Sequence, residues 1–238
     1  RVRSSAASDV YKRQELKGSV IIALIAVIVY MIYKGGIKKI LLGSGTIIAG
    51  FLVIAIAFNG LVSSLQITDE ETLYREQYPL THWVMMGLKD DGNFDQADST
   101  FTYRAGNYDE KKAANIQEIG NRISNYGVFG LINHFIIKAN FTWSDGTYWI
   151  SHHIYNPYNG RNFLHEFFLM DGNWFPIFKS ISSGMQLCML IMICVSLFSC
   201  VKKPRFDYIT LMHIITFGVY LFFLIWETRS RYIFNFTP

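Results

Sequence analysis

"SISSGMQLCMLIMICVSLFSCV" (residues 180–201), "KKPRFD" (202–207) and "YITLMHIITFGVYLFFLIW" (208–226) decide the fold: two long apolar runs joined by a short basic link. Neither run holds an Asp, Glu, Lys or Arg. Crossing the hydrocarbon of a bilayer takes about 20 apolar residues as a helix, and a helix apolar on every face belongs in lipid rather than on a soluble surface. Two further uncharged runs lie upstream, at 18–33 and 40–65. Hydrophobic residues make up 51% of the chain and aromatics 16%, concentrated in these blocks and in the segment between the second and third. The expected fold is therefore an all-α integral membrane protein. It has four transmembrane helices, with a mainly helical extracytoplasmic domain between the second and third.

Short loops rich in Lys and Arg stay on the cytoplasmic side. The link "KGGIKK" (34–39) and the link at 202–207 each carry three basic residues, so both are expected to be cytoplasmic. Residues 15–65 then hold the first two spans and 180–226 the last two. Residues 66–179 form the extracytoplasmic domain and 227–238 an extracytoplasmic terminal segment. Fourteen acids against nine Lys and Arg over 69–179 suit an external domain. Cys188, Cys194 and Cys200 all fall in the third span, where they read as packing residues, and the external segment has no cysteine to form a disulfide. In the second span, "GSGTIIAG" lacks the GK[ST] ending of a phosphate-binding loop and reads as small residues for helix packing.

The first fourteen residues, "RVRSSAASDVYKRQ", look like the basic start of a signal peptide. Back-translated, residues 4–14 also resemble a transposase adapter used to prepare sequencing libraries. On that ground 1–14 is treated as a non-native tail. Without it the formal net charge falls from +4 to +1, which leaves no electrostatic argument for a nucleic-acid partner.

Within the external segment, "YPLTHWVMMGL" (78–88) suits a membrane interface, and "DDGNFDQADSTFTYRAGN" (90–107) reads as a loop. In "DEKKAANIQEIGNRISNYG" (109–127), Asp109 suits an N-cap, Ile116, Ile119 and Ile123 recur at helical spacing, and Gly127 suits the stop. "VFGLINHFIIKANFTW" (128–143) is apolar but interrupted by Asn133, His134 and Lys138; it reads as a helix packed on the membrane surface or on the bundle. The aromatic stretch at 141–163 could stack on sugars or form an interfacial loop, and composition favours the loop. His152, His153, His165, Glu166 and Asp145 lack metal-site spacing, and Asp90, Asp91, Asp95 and Asp98 read as a solvated turn rather than a calcium loop.

"LIWETRSRYIFNFTP" (224–238) places Glu227, Arg229, Arg231 and Tyr232 just after the fourth span, where arginines run against the positive-inside bias. Arg offers phosphate a planar fork of donors; the other reading is a pair of snorkelling anchors. Physics leaves the two even.

The ordered set "PLTHWVMMGL", "GNFDQADSTFT", "AANIQEIGNRISNYGVFGL", "ANFTWSDGTYW" and "WETRSRYIFNFTP" resembles the C-terminal half of a family of multispanning proteins of Gram-positive bacteria. That family is assigned to the GT-C glycosyltransferase superfamily and is similar to protein O-mannosyltransferase-like enzymes. The resemblance covers residues 18–238. It implies transfer of a sugar from a polyprenyl-phosphate carrier to a cell-envelope glycan or protein, at the outer face of the bacterial cell membrane. The family's Glu-x-x-x-Arg-Tyr element falls on Glu227, Arg231 and Tyr232, which with Arg229 would bind the carrier phosphate. His82, Trp83, Trp143, Asp145, Tyr148 and Trp149 would contact sugar or acceptor. The catalytic acid of such enzymes would lie upstream of Gly18, so the resemblance implies a fragment truncated at both ends and inactive as it stands. No cofactor is evident and no metal ligand is assigned; the resemblance leaves room for a divalent metal in the full-length parent. The alternative is a non-enzymatic envelope membrane protein: a polysaccharide flippase or polymerase partner, or a scaffold. The four spans hold no Asp, Glu, Lys or Arg, which weighs against a transporter.

Overall fold

A computed structural model describes residues 22–32, 43, 45–46, 49–50, 52–54, 56–57, 60, 70–154, 160–202 and 207–236. The expected non-native tail, the links at 34–39 and 203–206, and most of the second expected span lie outside them. The described residues are mainly helical and contain no strand. In chain order the helices are α1 (Ile22–Ile32), α2 (Glu70–Glu76), α3 (Leu80–Gly87), α4 (Gln96–Arg104), α5 (Tyr108–Ser144), α6 (Ile150–Ile154), α7 (His165–Phe168), α8 (Phe175–Lys202) and α9 (Tyr208–Ile225). A 3-10 helix, Ser230–Phe236, follows.

Two of these, α8 and α9, are long and apolar enough to cross a membrane. α8 begins at Phe175, earlier than the uncharged run, and so takes Lys179 into its first turns. α9 starts sharply because the Asp207 carboxylate accepts the N–H groups of Ile209 and Thr210, the capping arrangement for orphan amides at a helix start.

Internal contacts divide the chain into two compact units. One comprises Arg1–His82, Gln96–Gln117 and Arg205–Val219; the other comprises Trp83–Asp95, Glu118–Pro204 and Tyr220–Pro238. In the first unit, α4 is a helix where turn-forming composition predicted a loop. Its Asp98 and Thr102 are buried, so Asp98 is no part of a solvated turn. α5 is capped by Asn107, two residues before the expected Asp109. The Asn107 side chain accepts the N–H of Asp109 and Glu110, and Glu110 reaches back to the N–H of Asn107, a capping box. Asp109 instead accepts the Tyr74 hydroxyl at 2.6 Å.

Gly127 breaks α5 with φ 60°, a left-handed value that costs a side chain but not glycine; the stop falls where the sequence placed it. The stretch beyond it, 128–144, belongs to the second unit and has its polarity reversed. His134, Lys138 and Thr142, spaced by four, are buried, while Val128, Phe129, Ile132 and Ile136 are exposed. α3, expected at an interface, is a core helix whose Met85 and Met86 are completely buried.

Candidate functional site

Everything gathered around the chain's final residues belongs to the second unit. After α9 the backbone runs past α3 and the turn that follows it. The N–H of Glu227 donates to the Trp83 carbonyl at 2.9 Å, and that of Thr228 to Gly92 at 2.8 Å. A Cβ on Gly87 would strike the backbone at Ile225, Trp226 and Glu227, so only glycine allows this approach. Gly87→Ala is expected to lower stability by about 1–3 kcal/mol, the usual cost of overpacking. Thermal unfolding in detergent measures it, and an unchanged midpoint would show that the two backbones do not touch.

The buried stripe of α5 holds the same turn from beneath. The Lys138 ammonium donates to the Gly87 carbonyl at 2.6 Å. His134 lies within 3.0 Å of the Asp90 carbonyl and 3.1 Å of the Gly87 carbonyl. Burial pushes His134 toward its neutral form, and neutral imidazole has one N–H, so it donates to one of these two carbonyls at a time. The Thr142 hydroxyl donates to the Lys138 carbonyl at 2.8 Å and accepts that of Thr228 at 3.0 Å. Burial depresses Lys138 to about 7, although Glu227 and Asp91 pull the other way.

On this footing sit the four terminal residues. Glu227 is buried; its carboxylate takes the Tyr232 hydroxyl at 3.2 Å and lies 3.5 Å from Arg229 Nε. Arg229 Nε donates to Asn93 Oδ1 at 3.0 Å. Its guanidinium lies over the Phe94 ring, 5.3 Å from the centroid, and over the Trp149 ring, 5.2 Å away. Among the described residues neither terminal nitrogen of Arg229 has a hydrogen-bond partner. Arg231 donates to His153 Nε2 at 3.1 Å and covers the Tyr232 ring. Burial first, then the charges of Arg231, His152 and Arg229, push the His153 pKa down; the imidazole is thus neutral and able to accept.

Asp145 joins from the other side. Oδ2 accepts the Ser230 hydroxyl at 2.8 Å, while Oδ1 accepts the Thr147 hydroxyl and N–H at 2.7 and 3.0 Å. This turn forces Tyr148 and Trp149 to φ 50° and 63°, a costly conformation for bulky side chains that concentrates at functional sites. The Tyr148 hydroxyl secures it by donating to Gln186 of α8 at 2.7 Å.

Of the expected site residues, Glu227, Arg229, Arg231, Tyr232, Asp145 and Trp149 converge. Trp83 takes part through its carbonyl, its side chain being buried. Trp143 packs on Tyr220 of α9. His82 lies in the first unit, buried, with Nδ1 2.8 Å from Thr102 Oγ1, and Thr102 in turn donates to Asn115. Burial lowers the His82 pKa to about 4, so it is a neutral core histidine with no surface to offer a sugar. Sequence reading missed Asn93, Phe94, Lys138, Thr142, Gln186, Thr228 and Ser230. Only Lys138 and Thr142 left a trace, as polar residues four apart in an apolar helix.

No group of three His, Cys, Asp or Glu fit to hold a metal occurs among the described residues. The carboxylates of Glu227 and Asp145 are committed to Tyr232, Arg229, Ser230 and Thr147, so the described residues do not fit a divalent ion here.

A family model described as "conserved hypothetical integral membrane protein" matches residues 8–238. The chain belongs to this family of integral membrane proteins. Its model begins inside the stretch treated above as a non-native tail. No curated protein and no solved structure matches the chain. As a member of that family the chain is membrane-embedded, with α8 and α9 the two described helices suited to cross the bilayer. Glu227 to Tyr232 then follow directly on the end of α9.

Proposed function

We propose that the chain is part of a membrane glycosyltransferase, resembling the GT-C superfamily, that moves a sugar from a polyprenyl-phosphate carrier to an envelope acceptor on the outer side of the membrane. The observation that carries this reading is Arg229. Its guanidinium lies over both the Phe94 and the Trp149 rings, its Nε is engaged by Asn93, and its terminal N–H fork has no partner among the described residues. A snorkelling anchor needs no such fixing; an anion receptor does, because a preset fork gives two parallel charge-assisted bonds to a phosphate. The position suits a carrier whose isoprenoid tail lies in lipid and whose phosphate sits where a span ends.

In the transfer step, the acceptor oxygen attacks the sugar C1 and the C1–O bond to the carrier breaks. The phosphate leaves with the electron pair, and the acceptor proton passes to a general base. Arg229, with Arg231 beside it, stabilises the growing phosphate charge. Asp145 shapes the turn that carries Trp149, whose ring supports Arg229.

Saturable binding of a radiolabelled polyprenyl phosphate to the purified chain in detergent tests this. Competition is expected from unlabelled polyprenyl phosphate and not from polyprenol. Equal competition by polyprenol sinks the phosphate role. Phosphate-specific binding without sugar transfer to an envelope acceptor favours a non-enzymatic partner of an envelope polysaccharide pathway.

A further inference from the structure

We infer that residues 128–144 form an in-plane membrane helix, with Val128, Phe129, Ile132 and Ile136 buried in the acyl chains of the leaflet edge where α8 begins and α9 ends. This is independent of the glycosyltransferase reading. A surface helix of a soluble domain turns its apolar stripe inward and its charges out. Here the order is reversed: Lys138 and His134 are 0% and 2% exposed, whereas Val128 is 74% exposed, Phe129 87%, Ile132 52% and Ile136 63%. The inner face consumes its polarity on the Gly87 and Asp90 carbonyls and on Thr228. The outer face is mostly hydrocarbon, with the polar side chains of Asn133 and Asn140 exposed along its edge.

Contacts with the two spans set the depth. Trp143 packs on Tyr220, ring centroids 6.1 Å apart, and Tyr220 precedes the end of α9 at Ile225 by five residues. At about 1.5 Å per residue, that is roughly 8 Å inside the end of the helix. Gly146, just past the helix, lies against the backbone of Ser182 and Ser183, seven residues from the start of α8 at Phe175, or roughly 10 Å in. Both spans thus hold the C-terminal end of 128–144 near the boundary between headgroups and acyl chains. An amphipathic helix at that depth lies with its apolar side 5–10 Å or so into the leaflet. Lipid is therefore the occupant, rather than a second copy of the chain.

The experiment uses the whole chain with Cys188, Cys194 and Cys200 changed to Ser, reconstituted in phosphatidylcholine and phosphatidylglycerol vesicles. NBD is attached at Ile132→Cys and Ile136→Cys, with Leu221→Cys in α9 as the lipid reference and Lys112→Cys as the water reference. NBD at 132 and 136 is expected to emit to the blue of the label at 112. It should be quenched by a headgroup-proximal nitroxide lipid more strongly than by aqueous iodide, as at 221. Iodide quenching matching that at 112 would overturn the proposal. So would blue-shifted emission that neither agent quenches, which places protein over the face. Neither result bears on phosphate binding, so the proposed function stands or falls separately.

Discussion

Arg229→Ala is expected to weaken polyprenyl-phosphate binding by about 10- to 100-fold, the value of a charge-assisted contact worth roughly 1.5–3 kcal/mol. Arg229→Lys keeps a cation beside Glu227 and so preserves the fold, but it loses the planar fork and its stacking on Phe94 and Trp149; it should recover little of the lost affinity. Arg231 has part of its donor set on His153 and Tyr232, so Arg231→Ala should cost several-fold less. Titration of labelled lipid into each purified variant reads all three. Full affinity in the Lys variant means that a point charge is enough and the stacked fork has no role. Equal losses at 229 and 231 mean that the ranking drawn from their partners is wrong.

The last two spans were legible because span length and apolarity are local properties. The terminal cluster was legible for the same reason: Glu227, Arg229, Arg231 and Tyr232 fall within six consecutive positions. What surrounds them was not. Asn93, Phe94 and Trp149 reach Arg229 through the fold, from 136, 135 and 80 residues upstream, and no periodicity reports such a meeting. His82 and Trp83 were expected at the site only through the family resemblance, and successive helical positions face apart. The one points to Thr102, and the other lends its carbonyl to Glu227. Lys138 was read as an interruption of an apolar helix. Its i±4 spacing from His134 and Thr142 places all three on one face, and a polar stripe inside an apolar helix is itself a pattern. Reading it requires only that the outward solvent be allowed to be lipid.

Lys138 yields the second large effect, through pH. Folding depresses its pKa from the ordinary 10.5 to about 7, chiefly by burial. Between those values the unfolded chain binds a proton that the folded chain does not, so stability rises with pH across that window. The penalty of burying the ammonium is fully present below pH 7 and is relieved above it. The slope is at most about 1.4 kcal/mol per pH unit, or about 2 kcal/mol between pH 7 and 9. Lys138→Met keeps the aliphatic stem under Gly92 and deletes the titrating amine, and with it the bond to Gly87. Denaturant unfolding in detergent at pH 6, 7, 8 and 9 should therefore show wild-type stability climbing relative to the Met variant only above pH 7. Parallel profiles would mean that Lys138 titrates like an exposed lysine. The same amine ties the turn bearing Asn93 to the base of the site, so the Met variant should also bind polyprenyl phosphate more weakly, with Arg229 intact but no longer held at Nε. A variant that keeps full affinity while losing the pH slope separates the two roles, leaving Lys138 a stabiliser of the turn and Asn93 the holder of Arg229 without its help.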